Sequence, residues 1–115
     1  MLRPDTAAAQ GVRNFPADAL RGEIVITAPP EIVLNRQPAR LAPGARIRGM
    51  DNMLVLSGAA AGQRLRVHYT RDLQGQLLKV WVLTAAEEAR KPWPETLQEA
   101  AAWRFDADAQ RWSKP

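Results

Sequence analysis

At 115 residues, 46% apolar and 24% charged, the chain has room for one globular domain, and its composition excludes wholesale disorder. It contains no cysteine, which excludes disulfides, thiolate nucleophiles, iron–sulfur clusters and cysteine zinc sites. The formal charge is only +4, but residues 36–72 concentrate seven arginines against Asp51 and Asp72, so the positive charge belongs to the middle of the domain and not to a tail.

Residues 1–21 carry Pro4, Gly11 and Pro16 without sustained periodicity and read as a loosely ordered N-terminal arm, with at most one helical turn over 16–21. No run approaches the ~20 apolar residues of a membrane span, and Met1–Gln10 lacks the apolar centre of a signal peptide. Ala7-Ala8-Ala9-Gln10 has the small-residue character that follows such a centre, which suits a mature exported domain; a frayed alanine-rich terminus has the same composition.

A single β-rich domain is expected over residues 22–115. Glu23–Thr27 is rich in β-branched residues and is broken by Pro29-Pro30; Glu31–Asn35 repeats the pattern and Asn35 opens a turn. Asn35 is followed by Arg36, where a tight turn favours glycine. Pro43-Gly44 reads as a further turn and Ala45–Arg48 as a short strand, with Ile47 on one face and Arg46 and Arg48 on the other. Met53–Ser57 follows, and Gly58–Gly62 is too small-sided for anything but a loop or one helical turn. The region Glu23–Asn35 is expected to leave an exposed edge strand.

The strongest signal is a hairpin. Gln63–Thr70 alternates Leu65, Val67 and Tyr69 with Arg64, Arg66 and His68, and Gln76–Thr84 returns after the Asp72–Gly75 turn. A loop centred there pairs Tyr69 with Leu78, Val67 with Val80 and Leu65 with Val82 on the buried face, and Arg66 with Trp81 and His68 with Lys79 on the other. Thr84-Ala85-Ala86-Glu87 and Thr96-Leu97-Gln98-Glu99 are two capping boxes opening short helices, the first stopped by Pro92 and Pro94. Trp103–Phe105 and Arg111–Ser113 read as a terminal hairpin. The expected fold is mainly β: a small antiparallel barrel or sandwich of five to seven strands, with a short C-terminal helix and hairpin against it.

The chemistry is sparse. His68 is the only histidine and lies mid-strand among arginines; neither Ser57 nor Ser113 has a nucleophile-elbow context, and a lone histidine without cysteine builds no zinc site. No phosphate-cradling glycine motif occurs. Hence no catalytic residue, metal ligand or cofactor is assigned, and the chain is read as a non-enzymatic module. The candidate partner-binding face comprises Arg46, Arg48, Arg64, Arg66, His68, Lys79 and Trp81: arginine forks suit phosphate or carboxylate, and an interleaved aromatic suits a stacked ring. The bland alternative is a solvated sheet face with Arg66 lying over Trp81. Trp93, Trp103 and Trp112 are expected to dock the C-terminal segment as packing.

The runs Phe15-Pro16, Ala19–Gly22, Pro30–Asn35 and Arg40–Arg48, with Ser57-Gly58, Gly62-Gln63, Tyr69–Asp72 and Val80–Thr84, resemble small uncharacterised exported proteins of Gram-negative proteobacteria. The resemblance covers most of residues 15–84 and implies an envelope location and a compact β domain; it implies no activity and no site residues. The function expected is therefore a periplasmic structural or interaction module that docks an envelope protein or an anionic polymer. The alternative is a cytoplasmic module that binds single-stranded nucleic acid through the same face.

Overall fold

The computed structural model describes residues 13–115; the alanine-rich flank at Ala7–Gln10 lies outside the described residues. The chain is mainly β, as the alternation predicts. In chain order, β1 is Leu20–Ala28, β2 Glu31–Leu34, β3 Gln37–Arg48 and β4 Leu54–Val55; a 3-10 turn at Ser57–Ala60 leads to β5 Arg64–Arg71 and β6 Leu77–Val82. Helix α1 (Ala85–Glu88), helix α2 (Leu97–Ala102) and the hairpin β7 (Arg104–Asp106) and β8 (Arg111–Ser113) complete the chain.

The main sheet runs β2-β1-β5-β6-β3-β4, and β2 also pairs with β3, so five strands close into a barrel with β4 attached outside the ring. Every pair is antiparallel except β3 with β6, which run parallel in the pairs Arg46–Lys79, Ile47–Val80 and Arg48–Trp81. This order is that of the five-stranded Greek-key barrels of the oligonucleotide/oligosaccharide-binding type. Inward-facing Ile24, Ile26, Ile32, Leu34, Ile47, Val67, Tyr69, Leu77 and Val80 fill the ring. Closure removes the expected free edge over Glu23–Asn35, because β2 has a neighbour on both sides.

Closure also corrects the reading of Pro43-Gly44. These residues do not end a strand. They form an irregular stretch inside the 12-residue β3, where the register with β6 shifts between Leu41 and Arg46 and Gly44 takes φ 77°. A bulge of this kind bends one strand so that its first half serves β2 and its second half serves β6 and β4.

The β5–β6 hairpin keeps the expected faces except at Leu78, and does not keep the expected partners. Val67 lies opposite Val82, His68 opposite Trp81, Tyr69 opposite Val80 and Thr70 opposite Lys79. The cause is Asp72, whose carboxylate accepts from both Gln74 and Gln76 backbone N–H groups at 2.9 Å and holds an Asx-type turn that Gly75 completes at φ 84°. A bulge between Thr70 and Arg71 absorbs the odd residue, so Leu77 and not Leu78 enters the core.

The β2–β3 turn places Asn35 at φ 51° and Arg36 at φ 69°, both left-handed, as a two-residue type I′ turn requires. Asn35 suits the turn and also accepts from the Glu23 N–H at 2.9 Å. Arg36 is exposed and meets a backbone requirement that glycine meets without steric cost. Arg36→Gly is expected to raise stability by about 1 kcal/mol, read as a higher urea midpoint at unchanged slope.

A second layer covers the outside of β1, β5 and β6. Phe15, Ala19, Leu83, Trp93 and Trp112 are buried together, with Trp81, Trp103 and Phe105 half-buried against them. Residues 13–21 belong to this layer and are not a loose arm where they are described: Arg13, Phe15 and Ala19 are buried, and β1 begins at Leu20, before Gly22. Both helices start at their predicted caps. Thr84 and Glu87 form the reciprocal box, whereas Glu99 turns its carboxylate to the Glu95 N–H and leaves Thr96 with the hydroxyl half alone.

Candidate functional site

The parallel β3–β6 pairing decides which members of the basic face meet. Outward positions on the two strands alternate with core residues, so Arg46 stands beside Lys79 and Arg48 beside Trp81, flanking the buried pair Ile47–Val80. Together these residues line an open cleft of about 220 Å³. Arg46 and Lys79 are exposed; Arg48 is half-buried and donates to the Asn52 carbonyl at 2.9 Å, which fixes its stem along the loop after β3. Trp81 is half-buried, packed edge-on against Phe15 at 5.5 Å, so its ring is held rigidly at one end of the cleft. Three cations and one anchored indole with no acid in the lining suit an anionic group beside a flat or apolar one.

The other three residues of the face lie elsewhere. Arg64 is exposed and pairs across to Val25 on β1. Arg66 shares the outer face with Trp81 but lies diagonal to it; its Nε donates to Glu88 Oε2 at 3.1 Å, an exposed-to-half-buried ion pair of small energetic weight. Among the described residues the cations that lie over rings are Arg13 on Phe15, Arg21 on Trp93, Arg71 on Tyr69 and Lys114 on Trp103; Arg66 over Trp81 is not among them.

His68 leaves the surface altogether. It is 1% exposed, stacked on Trp93 at 4.1 Å and met edge-on by Phe15 at 4.4 Å. Its Nε2 accepts from Arg21 Nε at 3.2 Å, which assigns the ring proton to Nδ1. Burial, then the charges of Arg21, Arg13 and Arg90, push its pKa down to about 2, so the ring is neutral. Among the described residues its hydrogen-bond and ring partners are Arg21, Phe15 and Trp93, with neither Ser57 nor a carboxylate among them.

Two buried arginines had no local signal in the sequence. Arg21, 3% exposed, donates to the carbonyls of Glu87, Glu88 and Arg90 at 2.9–3.1 Å and so caps the C-terminal end of α1, where the helix leaves its carbonyls unpaired. Arg13 forks onto Glu87, with Nε to Oε2 at 2.8 Å, and donates to the Gly49 and Val82 carbonyls at 2.8 Å. Its position two residues before Phe15 gives no hint of this; the partner carboxylate is 74 residues away.

Among the described residues no group of three His, Asp or Glu side chains is placed to hold a metal ion, and no helix is long and apolar enough to cross a membrane. Comparisons with protein-family models, with curated proteins and with solved structures found no match to the chain.

Proposed function

We propose that the chain is a non-enzymatic interaction module of the periplasm, docking an anionic partner through the cleft of Arg46, Arg48, Lys79 and Trp81. The partner chemistry is an acidic segment of an envelope protein or an anionic envelope polymer. The observation that carries this reading is the parallel β3–β6 register, which sets three cations and an anchored tryptophan around one open cleft without an intervening acid. The envelope location rests on the resemblance of residues 15–84 and on the small-residue flank before Gly11.

A second reading, single-stranded nucleic acid in the cytoplasm, is favoured by Trp81 beside the cations, since an indole stacks on any base. Barrels of this topology bind oligonucleotides on the face of their second and third strands. Here the part of that face where β2 pairs with β3 carries Val33, Pro38 and the exposed Glu31–Arg40 ion pair at 3.3 Å, and neither strand supplies an aromatic to stack a base; Arg46 and Arg48 stand at the other end of β3.

Titration with polyglutamate and with oligo-dT at two salt concentrations separates the readings. Polyglutamate is expected to bind more tightly, and Arg46→Gln/Arg48→Gln/Lys79→Gln to weaken it by about tenfold or more without changing the melting temperature. Tighter oligo-dT binding, with a salt slope that falls by about 2 on removing the three charges, establishes the nucleic-acid reading instead. No binding of either polymer discards the face as a site. Fractionation of cells making the natural gene product tests the location directly: recovery from the cytoplasm overturns it.

A further inference from the structure

A second cleft, sharing no residue with the first, lies between the segment after α1 and the terminal hairpin. Its volume is about 490 Å³, within the range of small-molecule sites. Three cations, Arg90, Lys91 and Arg111, line it, and the rest of its wall is Gln110, Trp112, alanine and proline; no acid contributes. The two acids of α1 are committed elsewhere, Glu87 to Arg13 and Glu88 to Arg66.

Two of the lining residues carry a buried N–H with no acceptor among the described residues: Arg90 Nη1 and Trp112 Nε1. Trp112 is 4% exposed, so its indole N–H has lost water without gaining a partner. Each such donor is costly unless something accepts from it. Three like charges around one cavity, with no acid and with two unpartnered donors on residues that line it, call for an oxygen anion.

The wall is also held in place. The Arg90 carbonyl accepts from Arg21 at 3.0 Å. Gln110 sits at φ 53°, a left-handed position unusual for its side chain, and is clamped there by Phe15: Oε1 accepts from the Phe15 N–H at 2.7 Å and Nε2 donates to the Phe15 carbonyl at 3.2 Å. Trp112 stacks on Phe105 at 4.8 Å. The wall is therefore in place before any ligand arrives.

We propose that this cleft is a binding site for a small oxyanion, a carboxylate or a phosphate, held by Arg90, Lys91 and Arg111 with the Trp112 indole at its wall. The test is a titration of the folded chain with citrate and with inorganic phosphate at fixed ionic strength, followed through the indole N–H resonances, with Trp112 assigned by Trp112→Phe. The expected result is a saturable shift of the Trp112 resonance with Kd of about 1 mM or tighter. Lys91→Gln/Arg111→Gln, both at exposed positions, is expected to weaken it by about tenfold or more at unchanged melting temperature, whereas Arg46→Gln/Arg48→Gln leaves it unaltered. Preference for citrate assigns a carboxylate ligand, and preference for phosphate a phosphorylated one. A linear, unsaturated shift, or equal binding by the Lys91→Gln/Arg111→Gln chain, overturns the proposal.

Discussion

Arg13→Met is expected to cost about 3–5 kcal/mol of stability, the range for stranding one member of a buried ion pair. The side chains of Arg13 and Glu87 are 7% and 1% exposed, and the guanidinium satisfies its remaining donors on the Gly49 and Val82 carbonyls. Removing it leaves the Glu87 carboxylate buried with only the Thr84 backbone N–H, at 2.9 Å, as a donor to it. Arg13→Met/Glu87→Leu replaces the pair by apolar volume, and loses the reciprocal half of the helix cap and the donors to the Gly49 and Val82 carbonyls. It should recover to within about 1–2 kcal/mol of the parent chain. Urea unfolding of the three chains measures this, and a double variant no better than Arg13→Met would show that the pair is not the source of the loss. The same pair sets an acid limit. Burial pushes the Glu87 pKa up, but the hydrogen bonds from Arg13 and Thr84, with the Arg13 charge, outweigh it and hold the carboxyl below its ordinary 4.5. That contribution is complete above about pH 4.5 and is lost as the pH falls through the lower folded value.

A separate acid loss begins earlier, and His68 is its source. The unfolded chain protonates this ring near 6.5, while the folded chain keeps it neutral down to about 2. As the pH falls through 6.5 the unfolded state therefore takes up an extra proton, and well below 6.5 stability falls by about 1.4 kcal/mol per pH unit. Between pH 6.5 and 4.5 the expected loss is about 2 kcal/mol, a window lying wholly above the folded value. His68→Gln retains an acceptor for Arg21 and cannot titrate, so its unfolding free energy should stay nearly level over that window. Urea unfolding at the two pH values decides the matter; equal slopes for the two chains would show that the buried ring is not neutral.

What was legible in the sequence is what is local. The alternation in Gln63–Thr70 fixes which side chains face inward, and the Thr84–Glu87 box fixes where a helix starts, because each depends on residues a few positions apart. Pro43-Gly44 was ambiguous for the opposite reason: the same two residues suit a turn and a bulge, and only the distant β6 shows which is used. The hairpin register failed by two residues because the Asp72 carboxylate, and not the loop length, sets the turn. In the candidate face, alternation predicted that Arg46, Arg48, Lys79 and Trp81 point outward; that they adjoin follows from a strand pairing that no local rule encodes. His68 and Arg21 sit on outward positions as well, and become interior only because Phe15 and Trp93, far away along the chain, lie over them.

The closure of the barrel has a kinetic consequence. Three of its ladders join strands that follow one another along the chain, β1–β2, β2–β3 and β5–β6, and each is a hairpin that forms after a short loop closes. The remaining two, Leu20–Tyr69 through Val25–Arg64 and Leu41–Leu77 through Arg48–Trp81, bring together residues 33 to 49 positions apart. Their loop-closure entropy is spent before their contacts repay it, so the ring is sealed late, and folding belongs on the millisecond-to-second scale of small barrels. Until the seal forms, β1 and β3 each expose an unpaired backbone edge, and the nascent chain is then most open to pairing with a neighbour.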